Sequence, residues 1–394
     1  MLELNIKKEE GKKYIALIND GILEEYYEEN NESNRNEGNI YIGIVKDIIK
    51  GMQAAFVDIG TEKNGFIHLK DILPKVDETK EKQNTDVKIE DILKIGQKML
   101  VQVKKDSNEK KGARISTHIN LPSKYIMLMP NTDIITISQK IEDKNEQKRL
   151  INLVRKNLSE GNGAVIRTAA ENKEQEIIKD IKYVENKWNK IIQTSINPNE
   201  NKPQLLYKSE DIIEKILIDL ADKNLKNIVV NDKEEYDKIE KIKNYNEEYK
   251  DLNIVMKSTD KIFSQSDIEK QIEKIENRKI WLKCGGFITI DKTEALTAID
   301  VNTGKYTGTK NLDQTIYKVN EEATIEIAKQ LRLRDIGGII IIDYIDMQKE
   351  ENKNKIENLL KLELRKDRAK TQVEGFTKLD LMELTRKHIC SHRD

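Results

Sequence analysis

Two aspartates stand at the ends of strand-like runs in the last third of the chain: Asp300 closes LTAID and Asp343 closes IIIID. Between them Ile316, Val319, Ala323, Ile327 and Leu331 recur at helical spacing, so the three pieces read as a strand–helix–strand unit. In a right-handed parallel crossover both carboxylates emerge at the carboxyl edge of one sheet, where open α/β sheets place their ligands. Two such carboxylates repel unless a proton or a cation intervenes. A hard cation such as Mg²⁺ takes oxygen ligands, usually one or two carboxylates together with water and phosphate. Asn302, two residues past Asp300, is placed to orient a water or to contact a phosphate. The same spacing suits aspartates that merely cap the following loops, and spacing alone leaves both readings open. The loop NTGKYTG is no P-loop, because Gly304 is followed at once by Lys305 and Tyr306 instead of completing G-x-x-x-x-G-K-[ST].

The elements that must position these residues follow from local pattern. WLKCGGFITIDKTEALTAIDV reads as a hairpin with Gly285 and Gly286 at the turn. GIIIIDYIDM, after Gly337 and Gly338, reads as a fully buried strand. Upstream, short β runs separated by glycines or charged turns fill Asn39 to about His118 and suggest a small barrel. From Asn120 to about Pro203, strands such as AVIRTA alternate with amphipathic helices. Gln204 to about Ser264 holds a buried strand, NIVVND, and a charged helical segment between Asp232 and Asp251 that reads as a solvated face. The helix DIEKQIEKIENR opens the last zone, Gln265 to Asp394.

With 394 residues there is room for two to four domains, and 35% charged residues give a heavily solvated surface. No apolar run approaches the roughly 20 residues of a membrane span. The start, MLELNIKKEEGKKYIALIND, alternates like a strand and has no secretory h-region, which points to a cytoplasmic location. Cys284 and Cys390 make neither a disulfide framework nor a CxxC zinc pair. A net charge of −1 leaves any nucleic-acid contact to local basic patches.

The blocks TEALTAIDVNTGKYTG and NEEATIEIAKQLRLRDIGGIIIIDYIDM resemble the catalytic core of the ribonuclease E/G family. AAFVDIGTEKNGFIHL resembles that family's S1 domain, and YIMLMP with VIRTAA resembles its sensor region. The resemblance keeps its order from Met1 to about Arg386, and the tripeptide NTG is more similar to the ribonuclease G branch than to the E branch. It implies an α/β multidomain fold: a split RNase H-like subdomain (1–37 and 204–264), an inserted S1 barrel of the OB type (38–119), a 5′-sensor region (120–203) and a DNase I-like catalytic subdomain (265–394). The implied activity is Mg²⁺-dependent endonucleolytic cleavage of AU-rich single-stranded RNA to 5′-phosphate and 3′-hydroxyl ends, in rRNA maturation, mRNA decay or both, stimulated by a 5′-monophosphate.

The same resemblance implies roles residue by residue. Asp300 and Asp343 are similar to the family's metal-holding pair, Asn302 to the neighbouring catalytic residue, and Asp346 to a further acidic position not counted as a ligand. Phe56 and Phe66 suit a barrel core by pattern, whereas the resemblance puts them on the RNA-facing surface with Lys105 and Lys111. His68, on the same strand, has no partner in the sequence that would make it a general base. Arg167 and Thr168 resemble the pocket for a 5′-monophosphate, to which a guanidinium binds in bidentate fashion. Lys370 stands where the family often has arginine; it keeps the charge but loses the planar fork, so 5′-end sensing is expected to be weaker.

Many family members continue past this point into a CPxC zinc link and a small dimerisation domain, so a homodimer or higher homo-oligomer is expected if the natural chain extends beyond residue 394. Cys390 and His392 read as a terminal tail rather than a metal site. Two rival readings remain: a non-catalytic RNA-binding protein built on the S1 barrel, and a metal-dependent nuclease acting on DNA. The set Asp300, Asn302 and Asp343 argues against the first, and the barrel with its 5′ sensor against the second.

Overall fold

A computed structural model describes residues 1–30, 36–72, 87–107, 111–195, 202–220, 225–245, 249–259, 262–263, 267–304 and 312–389. Lys305, Tyr306, Cys390 and His392 lie outside the described residues. The chain forms two compact units: Met1–Ser33 joined to Asp219–Asp394, and Asn34–Ile218.

The first unit opens with an antiparallel meander of β1 (Leu2–Glu9), β2 (Lys12–Asn19) and β3 (Ile22–Asn30). Its tight turns are Glu10-Gly11 and Asp20-Gly21, all at positive φ, the geometry whose twist matches a hairpin.

The Asn34–Ile218 unit then begins with β4 (Ile40–Ile49), β5 (Ala54–Asp58), β6 (Gly65–His68), a single turn α1 (Ile89–Ile92), β7 (Lys98–Lys105) and β8 (Arg114–Ser116). These strands run β4-β5-β6-β8-β7, and β7 pairs back onto β4 from Ile40↔Gln102 to Ile44↔Lys98. The result is a closed five-stranded barrel around Val45, Ala55, Val57, Ile67, Val101 and Ile115. A second sheet, ordered β11-β12-β10-β9, contains β9 (Leu121–Pro122), β10 (Ile126–Pro130), β11 (Ile135–Ile137) and β12 (Asn162–Ile166). Helices α2 (Lys144–Asn157) and α3 (Gln175–Ser195) cover it. On α3, Ile177, Ile181, Val184, Trp188 and Ile191 form the apolar stripe that meets Ile126, Leu128 and Ile166. The segment after residue 204 stays with this unit, because β13 (Gln204–Tyr207) pairs with the first residues of β4. Helix α4 (Ile212–Leu220) carries the chain out.

Back in the first unit, β14 (Leu225–Val230), α5 (Lys233–Tyr245) and β15 (Asn253–Met256) complete a sheet ordered β15-β14-β1-β2-β3, with β14 parallel to β1. After α6 (Ile268–Glu273) comes the sheet that carries the aspartates: β16 (Lys279–Trp281), β17 (Phe287–Lys292), β18 (Leu296–Asn302), α7 (Leu312–Leu333), β19 (Gly338–Asp343), α8 (Glu350–Leu364), β20 (Thr371–Phe376) and β21 (Leu381–Arg386). Its order is β16-β17-β18-β19-β21-β20, so the expected strand–helix–strand unit is β18-α7-β19 with adjacent parallel strands. The expected glycine turn is also present, with Gly285 at φ +94°.

Helices α7 and α8 pack on one face of this sheet, burying Val319, Ala323, Ile327, Leu331, Ile356 and Leu360 against Ile288, Ile299, Ile340, Ile342 and Leu384. Among the described residues the other face carries exposed side chains, which corrects one expectation. Strand β19 is not buried on both sides: Ile340 and Ile342 face the helices, while Ile339 is 50% exposed and Asp343 lies in solvent. An all-isoleucine run conceals this asymmetry, since both faces carry the same residue. No helix among the described residues is long and apolar enough to cross a membrane.

Candidate active site

Alternation along β18 sends Thr297, Ile299 and Val301 toward the helices and Ala298, Asp300 and Asn302 to the open face. The register of the parallel pair then sets Asp300 directly beside Asp343, strands lying about 4.8 Å apart. Both carboxylates are exposed. Partial burial, and then the neighbouring charges of Asp300 and Asp346, push the Asp343 carboxyl above its ordinary value. The Asn302 amide donates to the Asp300 carboxylate, which fixes one donor oxygen in place. No cluster of three or more His, Cys, Asp or Glu side chains poised to cage a metal occurs among the described residues. Two adjacent exposed carboxylates can offer oxygen ligands to a hard cation that keeps water or phosphate in its remaining positions.

Helix α7 anchors the chain as it leaves Asp343. Fully buried Asn320 donates through Nδ2 to the carbonyl of Ile345 (2.8 Å) and accepts at Oδ1 from its N–H (3.1 Å). One turn on, Thr324 hydrogen-bonds the buried Tyr344 hydroxyl at 2.9 Å. Burial pushes the Tyr344 phenol far up, so it stays protonated. Neither Asn320 nor Thr324 stood out in the sequence. The available signal was two polar residues, four apart, on the apolar face of a helix. On the other side of the site the Arg278 guanidinium pairs with Asp291 on the open face, and that pair followed by the charge of Asp300 raises it above its ordinary value.

On the barrel, Phe56 pairs in register with Phe66, Phe66 with Arg114, and Arg114 with Lys105, one row across β5, β6, β8 and β7. The two rings meet edge to face at 5.8 Å and are half-buried, whereas Ala55, Val57 and Ile67 between them fill the core. Placement in the barrel core is thereby excluded for both. Arg114, held by Asp71 at 3.1 Å, was missed because β8 joins the row only through tertiary pairing. Lys105 and Lys111 are exposed. The His68 ring accepts from the Lys70 N–H at 3.3 Å, starting a short turn.

Arg167 and Thr168 follow β12, Thr168 opening a short 3-10 turn. The guanidinium donates to the Ser123 carbonyl at 2.8 Å, and the exposed Thr168 hydroxyl shares a hydrogen with Ser138 at 3.0 Å. Half-buried Asp180 shapes this corner by accepting from the Ser123 hydroxyl and the N–H groups of Tyr125 (2.9 Å) and Ile126 (3.1 Å). Burial nonetheless pushes its carboxyl up. Lys370 is exposed just before β20, in the unit that carries the aspartates, and not in the unit of Arg167.

Residues 120–389 match the model of the Ribonuclease E/G family, and residues 35–118 that of the S1 RNA binding domain. The chain is 40% identical to Ribonuclease G of Escherichia coli (strain K12) over 398 aligned positions, covering 98% of this chain and 79% of that protein. It is 38% identical to Ribonuclease G of Haemophilus influenzae over 95% of this chain and 77% of that protein. Against Ribonuclease E of a Nostoc strain the identity is 34% over 89% of this chain and 51% of that protein. With a family match over more than half its length and such identity nearly end to end, the chain belongs to the ribonuclease E/G family.

Proposed function

We propose that Asp300 and Asp343 hold a Mg²⁺ ion with Asn302 beside them, and that this site cuts AU-rich single-stranded RNA to 5′-phosphate and 3′-hydroxyl ends. Membership of the family makes the chain an endoribonuclease. The observation that carries the metal reading is the register of β18 with β19, which sets Asp300 beside Asp343 on an open sheet face. When bound, the ion would supply an activated water and stabilise charge on the phosphate. The chain's own part is to fix the donors: Asn302 steadies Asp300, and Asn320 with Thr324 steadies the backbone that carries Asp343.

In the same reading Phe56 and Phe66 stack bases of a single strand, each stack worth ~1–3 kcal/mol, while Lys105 and Lys111 take phosphates. Arg167 and Thr168 receive a 5′-monophosphate, with the guanidinium already held by the Ser123 carbonyl. Lys370 is a basic contact to the 5′ end, and Lys370→Arg should raise the preference for monophosphorylated substrate. The sheet of β1–β3 with β14 and β15 is assigned to the RNase H-like subdomain, residues 120–203 to the sensor and 265–394 to the DNase I-like subdomain. The work is rRNA maturation, mRNA decay or both, in the cytoplasm, by a homodimer or higher oligomer if the natural chain runs past residue 394.

The test is cleavage of a short AU-rich RNA carrying a 5′-monophosphate or a 5′-hydroxyl, in Mg²⁺ and in EDTA. Internal cuts that require Mg²⁺, fall at least ~100-fold in Asp300→Asn and in Asp343→Asn, and run faster on the monophosphate support the reading. RNA binding without any cleavage would return the chain to a binding role.

A further inference from the structure

The open face of the catalytic sheet carries an aromatic pair one row from the aspartates. Lys279, Thr289, Asp300 and Asp343 lie in one cross-strand row over β16, β17, β18 and β19. The adjoining row is Trp281, Phe287 and Asn302. Rows on one face are two residues apart, about 7 Å along the strands, and neighbouring strands about 5 Å apart. Across the sheet Phe287 therefore stands about 9 Å and Trp281 about 12 Å from Asp300, a span of one to two nucleotides.

The two rings meet at 5.3 Å and 61°, and the Lys279 ammonium sits between them, 3.5 Å from the Phe287 ring centre and 4.2 Å from that of Trp281. Trp281 is 58% exposed although it is among the largest apolar side chains of the chain, whereas Trp188 is buried at 7%. Gly304 backs the pair: a Cβ there would lie 3.4 Å from the indole, 3.3 Å from the Phe287 ring and 2.5 Å from the Gly285 carbonyl. Its φ of +60° and the crowding a Cβ would meet explain why glycine stands here, close beside both rings. An exposed indole, a cation over its ring and a metal-type carboxylate pair one row away make a surface suited to a flat π system attached to a phosphate.

We propose that Trp281, with Phe287 and Lys279, is a stacking subsite for a nucleobase one or two nucleotides from the scissile phosphate, an inference that rests on Asp300 and Asp343 being the cleavage site. The base lies on the indole, and Lys279 turns its ammonium from the rings to the adjoining phosphate. The subsite orients the strand at the reacting phosphate and reads no sequence, since every base has a π face.

The test uses the full chain with Trp188→Phe, so that Trp281 is the sole indole, and RNA with or without a single abasic position one or two nucleotides from the cut. In EDTA, intact RNA should quench Trp281 fluorescence and RNA abasic at that position should not. In Mg²⁺, Trp281→Ala should lower kcat/KM about 5- to 150-fold on intact RNA, the worth of one stacked base, and cause no further loss on the abasic RNA. Trp281→Phe should recover part of the loss. Equal effects of Trp281→Ala on both RNAs, or no quenching, overturn the subsite while cleavage dependent on Asp300 and Asp343 still stands. A Trp281→Ala chain that changes only its sedimentation overturns it in favour of a contact between copies. If the chain cuts no RNA, the nuclease reading fails, and quenching in EDTA still decides whether the indole takes a base.

Discussion

Asn320 illustrates how a single side chain can act on a carboxylate it does not touch. Its amide reproduces the two hydrogen bonds of a strand neighbour for Ile345 and so fixes the path of the chain out of β19. Asn320→Ala leaves the part-buried Ile345 N–H and carbonyl without that partner, which costs at most ~1–3 kcal/mol each in stability. We expect kcat to fall at least tenfold with KM little changed, measured beside a denaturant melt that separates local loosening from unfolding. Asn320→Asp, which sets a carboxylate oxygen against the Ile345 carbonyl in a fully buried site, should be no milder than Asn320→Ala. The aspartates were legible in the sequence because each ends an apolar run, and their chemistry needs charge at a strand end. Asn320 was not legible, because a lone buried amide has meaning only once the backbone it serves is seen. Arg114 stayed hidden for the same reason, its row being assembled from strands far apart in sequence.

Elements were easier to read than their faces. The helix of α7 followed from the spacing of Val319, Ala323, Ile327 and Leu331, and the barrel from short glycine-punctuated strands. That β19 has one open face could not follow from four consecutive isoleucines, since the sidedness is set by α7 and α8. Helix α2 offers a test of how an element end is fixed. Glu146 in its first turn binds Arg149 through two hydrogen bonds, 2.7 and 2.8 Å, and accepts from the Asn172 N–H at 2.9 Å. The Arg149 guanidinium is the main cause holding the Glu146 carboxyl down at about 2. A depressed carboxyl contributes stability above its unfolded value, about 4.3, and loses it as the pH falls toward 2. Glu146→Gln should therefore be less stable than wild type at pH 6, with the gap closing between pH 4 and 2 in urea melts.

For the molecule as a whole, a net charge of −1 provides no general attraction for RNA, so affinity must come from local cations. For a single strand each phosphate contact contributes about −0.7 to the slope of log K against log salt. Replacing both Lys105 and Lys111 by alanine should make the slope shallower by about 1.4, measured by RNA titration in EDTA over a series of salt concentrations. An unchanged slope would remove both lysines from the RNA surface.

The parallel pairing of β1 with β14 also has a consequence for the order of synthesis. The β1–β3 meander is made first, yet the strand that covers β1 begins at Leu225. At ~5–20 residues per second the ribosome needs roughly 10–40 s to reach it. Throughout that interval β1 presents an unpaired edge, a template for wrong partners on neighbouring nascent chains. Its run of Lys7, Lys8 and Glu9 is the kind of charged edge that discourages such pairing. The contiguous barrel unit can close meanwhile, before the second half of the other unit is made.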